Sequence, residues 1–355
     1  MAGLRFAPML LLGVLPAIPV FGQASGLDLG AVDRSANPCI DFYQYACGGW
    51  LTKNPIPADE SSWGRFDELF ERNQQILRGI LEDSARHQQR SAIDQKIGAF
   101  YQSCMNESAV EARGATPLKA ELERISSVAS RADLVDEVAR LHARQVPVFF
   151  SFYSSPDPTN ARMTLAGLDQ GGLGLPEKDY YFRTDPRSEE IRKKYAAHVA
   201  RMFVLTGTPE AEAEKKAATV LKIETSLAKA SLDVTARRDP QVLVHEMQKS
   251  TLKQFGMQFD FNQYFTRIKA PEFTKLNVSV PDFIKGLDEV IAAEDMGAIQ
   301  NYLAWHYIHA SARLLSKAML DENFDFYGRT LTGTEQQKPR WKRCVSATDD
   351  ELGEA

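Results

Sequence analysis

The sequence predicts a mainly α protein: a multi-helix lobe carrying a small β-hairpin insertion, preceded by an export signal. Three observations carry this. Apolar residues recur at helical spacing through most of the chain. One segment, 146–168, instead concentrates Val, Phe and Tyr around dense turn chemistry. The first 24 residues run from a charge through an apolar stretch to small residues.

At the N-terminus Arg5 precedes an apolar run from Phe6 to Phe21, and Gly22, Ala24 and Ser25 follow. That order is a secretory signal, with cleavage after Gly22 or Ala24. Residues 1–24 are therefore read as a signal peptide, and the chain as secreted or periplasmic. The alternative is a membrane anchor formed by the uncleaved segment. The run falls short of the ~20 residues a span needs, and Pro16 and Pro19 interrupt its end. No later stretch is apolar and long enough to span, so no membrane span is expected after cleavage.

The helices follow in order. Asp41 to Cys47 reads as helix. From Phe66 to Leu81 the apolar residues Phe66, Leu69, Phe70, Ile76, Leu77, Ile80 and Leu81 form a 3.6-residue stripe, with Ser61 or Ser62 placed to cap its start. Ile93, Ile97, Phe100, Tyr101 and Cys104 mark the next helix and put Cys104 on its apolar face. Another passes through Ile191, Tyr195, Val199, Met202 and Phe203. Thr208-Pro209 is a cap followed by proline at the first helical position, opening a helix through Val220, Leu221, Glu224 and Leu227. Asp239-Pro240 is expected to open one in the same way. Two more are expected, from Pro281 to Ile291 and from Met296 to Leu320.

The exception is Val146 to Tyr153, then turn-forming Ser154 to Asn160, then the alternating stretch Arg162 to Leu168. This is the hairpin. Gly171-Gly172-Leu173-Gly174-Leu175-Pro176 follows and reads as a structural loop, because no P-loop Lys-Ser pair accompanies it.

Composition excludes some functions. A net charge of −5, with 25% charged and 44% apolar residues, is that of an ordinary globular chain and argues against nucleic acid as a partner. Arg192-Lys193-Lys194 and Arg237-Arg238 are too short to revise that and read as solvated faces. Histidines are sparse: His87, His142 and His198 are isolated, and His306 and His309 share a helix face with aromatic flanks that suit packing. The tail Asp349, Asp350, Glu351 and Glu354 reads as solvated. Asn106-Glu107-Ser108 and Asn277-Val278-Ser279 match the glycosylation acceptor pattern.

No His-Glu-x-x-His run occurs in the sequence. The nearest approach is His245-Glu246-Met247-Gln248-Lys249, where a lysine stands at the second ligand position and cannot coordinate zinc while charged. No catalytic, metal or cofactor residue is assigned in this chain.

Four cysteines remain: Cys39, Cys47, Cys104 and Cys344. In an exported protein these are disulfide candidates. Eight helical residues between Cys39 and Cys47 would give about 12 Å of rise, against the roughly 7 Å between Cα atoms that a bridge tolerates. Each is therefore expected to seek a partner elsewhere. Their spacing is not that of a Cys-x-x-Cys redox or metal pair.

The segment from Asn37-Pro38-Cys39-Ile40-Asp41 to Cys47-Gly48-Gly49-Trp50 resembles the entry motif of the neprilysin-like zinc metalloendopeptidases. Ser62-Trp63-Gly64-Arg65-Phe66-Asp67, Gly172 to Tyr181, Arg237-Arg238-Asp239-Pro240 and Arg340-Trp341-Lys342-Arg343-Cys344 resemble later motifs of that family in the same order. The resemblance covers residues 37–355 and implies the mainly helical N-terminal portion of such an enzyme. It implies that zinc, the His-Glu-x-x-His helix and the catalytic base belong to a C-terminal catalytic lobe that this chain does not contain. That lobe is the expected partner, and peptides are the expected substrates of the whole enzyme.

The resemblance also implies a Cys104–Cys344 disulfide, with Cys39 and Cys47 left to pair with the catalytic lobe. It places Ser62, Trp63, Arg65 and Phe66 near the substrate cavity. Mammalian members carry a substrate-contacting arginine where Ser62 stands, which argues against a carboxydipeptidase-like preference; Arg65 is not assigned that role. Two functions follow: a substrate-gating portion of an exported peptidase, inactive as the isolated chain, or a stand-alone peptide- or protein-binding module.

Overall fold

The computed structural model describes residues 28–86 and 91–354. The signal segment 1–24 and His87 lie outside the described residues. The chain divides into two compact units, Met1–Ile56 and Pro57–Ala355.

In the first unit, helix α1 (Phe42–Lys53) is capped by Asp41, whose carboxylate accepts from the Gln44 amide. Cys39 lies in the turn before the helix and is outside it. This corrects the rise argument: Asp41 starts the helix two residues beyond Cys39, so only part of the Cys39–Cys47 separation is helical. Both thiols are free; Cys39 is exposed.

The second unit is mainly helical. It opens with α2 (Arg65–Arg86), α3 (Ala92–Met105), α4 (Glu107–Arg113), α5 (Lys119–Ser126) and α6 (Arg131–His142). Strands β1 (Phe150–Asp157) and β2 (Asn160–Gln170) follow, then α7 (Asp179–Phe182), α8 (Pro186–Leu205) and α9 (Glu210–Ala230). Next come β3 (Glu246–Gln248), α10 (Phe261–Arg267), β4 (Lys275–Val278), α11 (Pro281–Ala293), α12 (Met296–Ser311) and α13 (Lys317–Phe324). A π-helix, Asp325–Thr332, leads to α14 (Arg340–Leu352).

Short polar side chains start many of these helices by satisfying amides that have no partner within the helix. Ser91 accepts from Asp94, Asn106 from Ala109, Asp185 from Ser188 and Asp295 from Ala298. Ser130 and Asp133 form a full capping box.

Several boundaries differ from expectation. Helix α2 begins at Arg65, with Gly64 supplying the first carbonyl to Asp67 and Glu68, so Ser61 and Ser62 precede the cap position. Helix α9 begins at Glu210, after Pro209. Asp239-Pro240 opens only the four-residue 3-10 turn Pro240–Leu243 before the chain extends toward β3. The expected helix from Met296 to Leu320 breaks at 312–316, where Leu315 is extended; the Lys317 amide there finds the Glu111 carboxylate. The hairpin turn tightens to Pro158-Thr159 because β1 continues through Asp157.

The hairpin also belongs to a larger sheet of order β1-β2-β4-β3, with β4 parallel to β2. Leu168, Leu276 and Val278 pack beneath it into a first core with Phe149, Phe150, Tyr264, Phe283 and Tyr302. A second core gathers Tyr195, Val199, Met202, Val220, Trp305, Ile308 and Phe326 from α8, α9, α12 and the π-helix. A third, smaller core holds Leu81, Tyr101, Cys344 and Val345 of α2, α3 and α14.

Candidate partner-facing surface

Helix α2 is apolar over more of its circumference than its own neighbours cover. Its inner side buries Gln74, Leu81 and Ser84. Leu77 packs there with Ile97, Tyr101 and Trp341. The Cys104–Cys344 disulfide joins α3 to α14 beside them, with Cα atoms 5.7 Å apart. Arg78 stacks on Trp341 at 4.8 Å and bonds Glu82 at 2.7 Å, a cation–π contact. Lys342 reaches back from α14 to Asp59 at 3.1 Å and Glu71 at 2.7 Å.

The remaining apolar stripe faces water. Phe66 is 89% exposed, and Leu69, Phe70, Ile76 and Ile80 are each more than half exposed. Their spacing puts them on one side of the helix, and Ile93 at the start of α3 is exposed as well. Large apolar side chains left exposed along one helix face make it a candidate interaction surface.

The four residues expected near a cavity sit at the start of α2. Ser62 is exposed, Trp63 is half-buried, and Arg65 bonds Glu68 at 2.9 Å. A cleft of about 540 Å³ farther along is lined by Phe100, Val110, Leu118, Tyr307 and Leu315 and includes none of the four.

The glycine-rich loop after β2 is held by tyrosines. Tyr302 donates to the Gly172 carbonyl at 2.8 Å and accepts from the Phe149 amide. Tyr327 donates to the Gly174 carbonyl at 2.9 Å. A Cβ on Gly174 would stand 1.8 Å from the Tyr195 hydroxyl oxygen, so only glycine leaves room there. Arg237, expected on a solvated face, instead grips Asp169 with two bonds at 2.7 and 2.8 Å. His198, expected to be isolated, bonds Glu322 from α13. Their partners lie 68 and 124 residues away, beyond any local pattern.

Among the described residues, no group of three or more His, Cys, Asp or Glu is placed to hold a metal ion. No helix among them is long and apolar enough to cross a membrane.

The model of peptidase family M13 matches residues 38–355. The chain belongs to peptidase family M13. Human endothelin-converting enzyme 1 is 31% identical over 340 residues, covering 92% of this chain and 43% of the relative. Neprilysin-3 of Drosophila melanogaster is 28% identical over 351 residues, 93% of this chain and 44% of its own length. The solved Mycobacterium tuberculosis zinc metalloprotease Zmp1, in complex with inhibitor, superposes with a TM-score of 0.85 at 32% identity. That match covers 93% of this chain and 50% of Zmp1. The chain thus spans about half the length of the M13 proteins it matches, and those relatives are zinc metallopeptidases.

Proposed function

We propose that this chain is the substrate-gating, helical portion of an exported zinc metalloendopeptidase that acts on peptides. In this reading the chain folds as residues 37–355 after a signal peptide, 1–24. It carries no zinc itself and is inactive until it meets a zinc-bearing catalytic portion. Cys39 and Cys47 supply thiols for that partner.

The α2 stripe carries the reading. A large apolar side chain left wholly in water forgoes about 1.5–3 kcal/mol relative to full burial, and a half-exposed one roughly half of that. Five such side chains on one helix face call for a partner surface. Match lengths of about half the relatives agree with residues 37–355 corresponding to one portion of such an enzyme.

The test is made on the purified chain. It is expected to bind a hydrophobic dye strongly, to hold no stoichiometric zinc and to cleave no peptide. Ile76→Asp with Ile80→Asp is expected to remove most of the dye binding. One tightly held zinc with chelator-sensitive cleavage would overturn the division of labour, and dye binding unchanged by the two aspartates would overturn the surface.

A further inference from the structure

The second core encloses a cluster that the reading above does not use. Helix α12 brings in His306 and His309, α8 brings Tyr195 and His198, and α9 brings Glu224. Tyr181 comes from α7, Glu322 and Asn323 from α13, and Tyr327 from the π-helix. Glu224 and Glu322 are the carboxylates that face it, and both are already engaged. Glu224, fully buried, accepts from the Tyr181 and Tyr195 hydroxyls at 2.9 Å each, and His306 Nε2 stands 3.2 Å from its Oε1. Glu322 accepts from His198 Nδ1 at 2.8 Å and from Arg201 Nε at 2.7 Å.

Beyond His306 Nε2, which has Glu224 beside it, two ring nitrogens have no carboxylate partner. His198 Nε2 and His309 Nδ1 are buried without a hydrogen-bond partner. Aromatic rings cover their faces: His198 stacks on Phe326 at 5.1 Å, and His309 lies against Trp305 at 5.4 Å and Tyr327 at 4.5 Å. A proton on either nitrogen creates a buried charge, which at His309 only the nearby Asn323 side chain helps to accommodate. Burial, with His306 and His198 as neighbouring positive charges, holds His309 down to about 3, and Asn323 offsets only part of this. Burial also lowers His198, although Glu322 pulls it back up.

An unfolded imidazole titrates near 6.5, so below that pH the unfolded chain takes up these protons more readily than the folded one. The stability is present above about 6.5 and is lost as the pH falls toward the folded values.

We propose that His198 and His309 form an acid-sensitive latch holding residues 317–332, α13 and the π-helix, against α8 and α12. That segment is fastened here by Glu322 on His198 and Arg201 and by Phe326 and Tyr327 on the two imidazole rings. Because Tyr327 also bonds the Gly174 carbonyl, release of the latch frees one hold on the glycine-rich loop. His142, in the first core, is built differently. Burial lowers it too, but its nitrogens lie 2.7 Å from the Tyr264 hydroxyl and 2.8 Å from the Val148 carbonyl. Protonated, both N–H groups face an oxygen, so the first core is expected to hold longer.

Amide hydrogen exchange on the full chain tests this, at pH 7 and pH 5 with intrinsic rates corrected. Residues 317–332 are expected to lose about tenfold in protection while residues 131–142 keep theirs. His309→Phe keeps an aromatic ring in the box without a titrating nitrogen. It is expected to restore most of that protection and to lower the acid midpoint of Trp fluorescence by about half a pH unit. Equal loss in both segments, or no loss at 317–332, would overturn the latch, and so would a His309→Phe chain with the wild-type acid response. The wild-type exchange comparison decides the matter alone if the variant does not fold.

Discussion

The carboxylate of Glu224 accepts the Tyr195 hydroxyl at 2.9 Å inside the second core, and that hydroxyl in turn accepts Trp305 Nε1–H at 2.9 Å. Helices α8, α9 and α12 are tied at this point by polar bonds set among apolar side chains.

Glu224→Ala is expected to cost about 3 kcal/mol, because it strips the acceptor from two buried hydroxyls and leaves a cavity. Glu224→Gln keeps one acceptor oxygen and should cost less. Urea midpoints of the two variants check the order; equal losses would show that the carboxylate's bonds do not matter.

Gly174→Ala forces its methyl group onto the Tyr195 oxygen and is expected to destabilise by about 1–3 kcal/mol. Gly79→Ala is the counterpart. Gly79 sits mid-helix in α2 with nothing within 4 Å of the place a Cβ would take, so alanine there should stabilise by about 0.5–1 kcal/mol. Thermal scans of both variants should move in opposite directions.

The Cys104–Cys344 bridge closes a separation of 240 residues. Replacing both cysteines by serine is expected to cost up to about 5 kcal/mol on the chain-entropy account. The urea midpoint with and without reductant, measured on wild type and double variant, checks it. The reductant should have no effect on the variant.

The two acceptor sequences for glycosylation are not equivalent. Asn106 is exposed at the cap of α4, and only its Oδ1 is used there, by Ser108 and Ala109. Asn277 lies within β4, where its Nδ2 donates to the Leu243 carbonyl and its Oδ1 accepts from the His245 amide. Secreted from a glycosylating host, the folded chain is expected to carry a glycan at Asn106 and none at Asn277. Glycopeptide mapping reads this directly.

The helical plan was legible because it rests on local signals. The α2 stripe and the hairpin's composition both act within a few residues. What stayed hidden was set by distant partners. The short strands β3 and β4 have three and four residues; β4 exists because β2 is there to pair with, and β3 because β4 is. Arg237 looked solvated because Asp169 lies 68 residues away. His198 looked isolated because Glu322 comes from another helix, 124 residues on. For the candidate surface, periodicity showed that α2 has an apolar face. Only the packing showed that α3 and α14 cover the Leu77 and Leu81 side and leave the Phe66, Ile76 and Ile80 side bare.

The third core has a consequence in time. Its α2 and α3 are made early, yet the helix that completes it, α14, starts at Arg340. At ribosomal speeds of about 5–20 residues per second, the interval between Cys104 and Cys344 lasts roughly 12–48 s. Throughout it, Leu81, Tyr101 and the Cys104 thiol await the surface that will shield them, while Cys39 and Cys47 are already made. Errors in maturation should therefore begin in this core, as early thiols joining one another before the late one arrives.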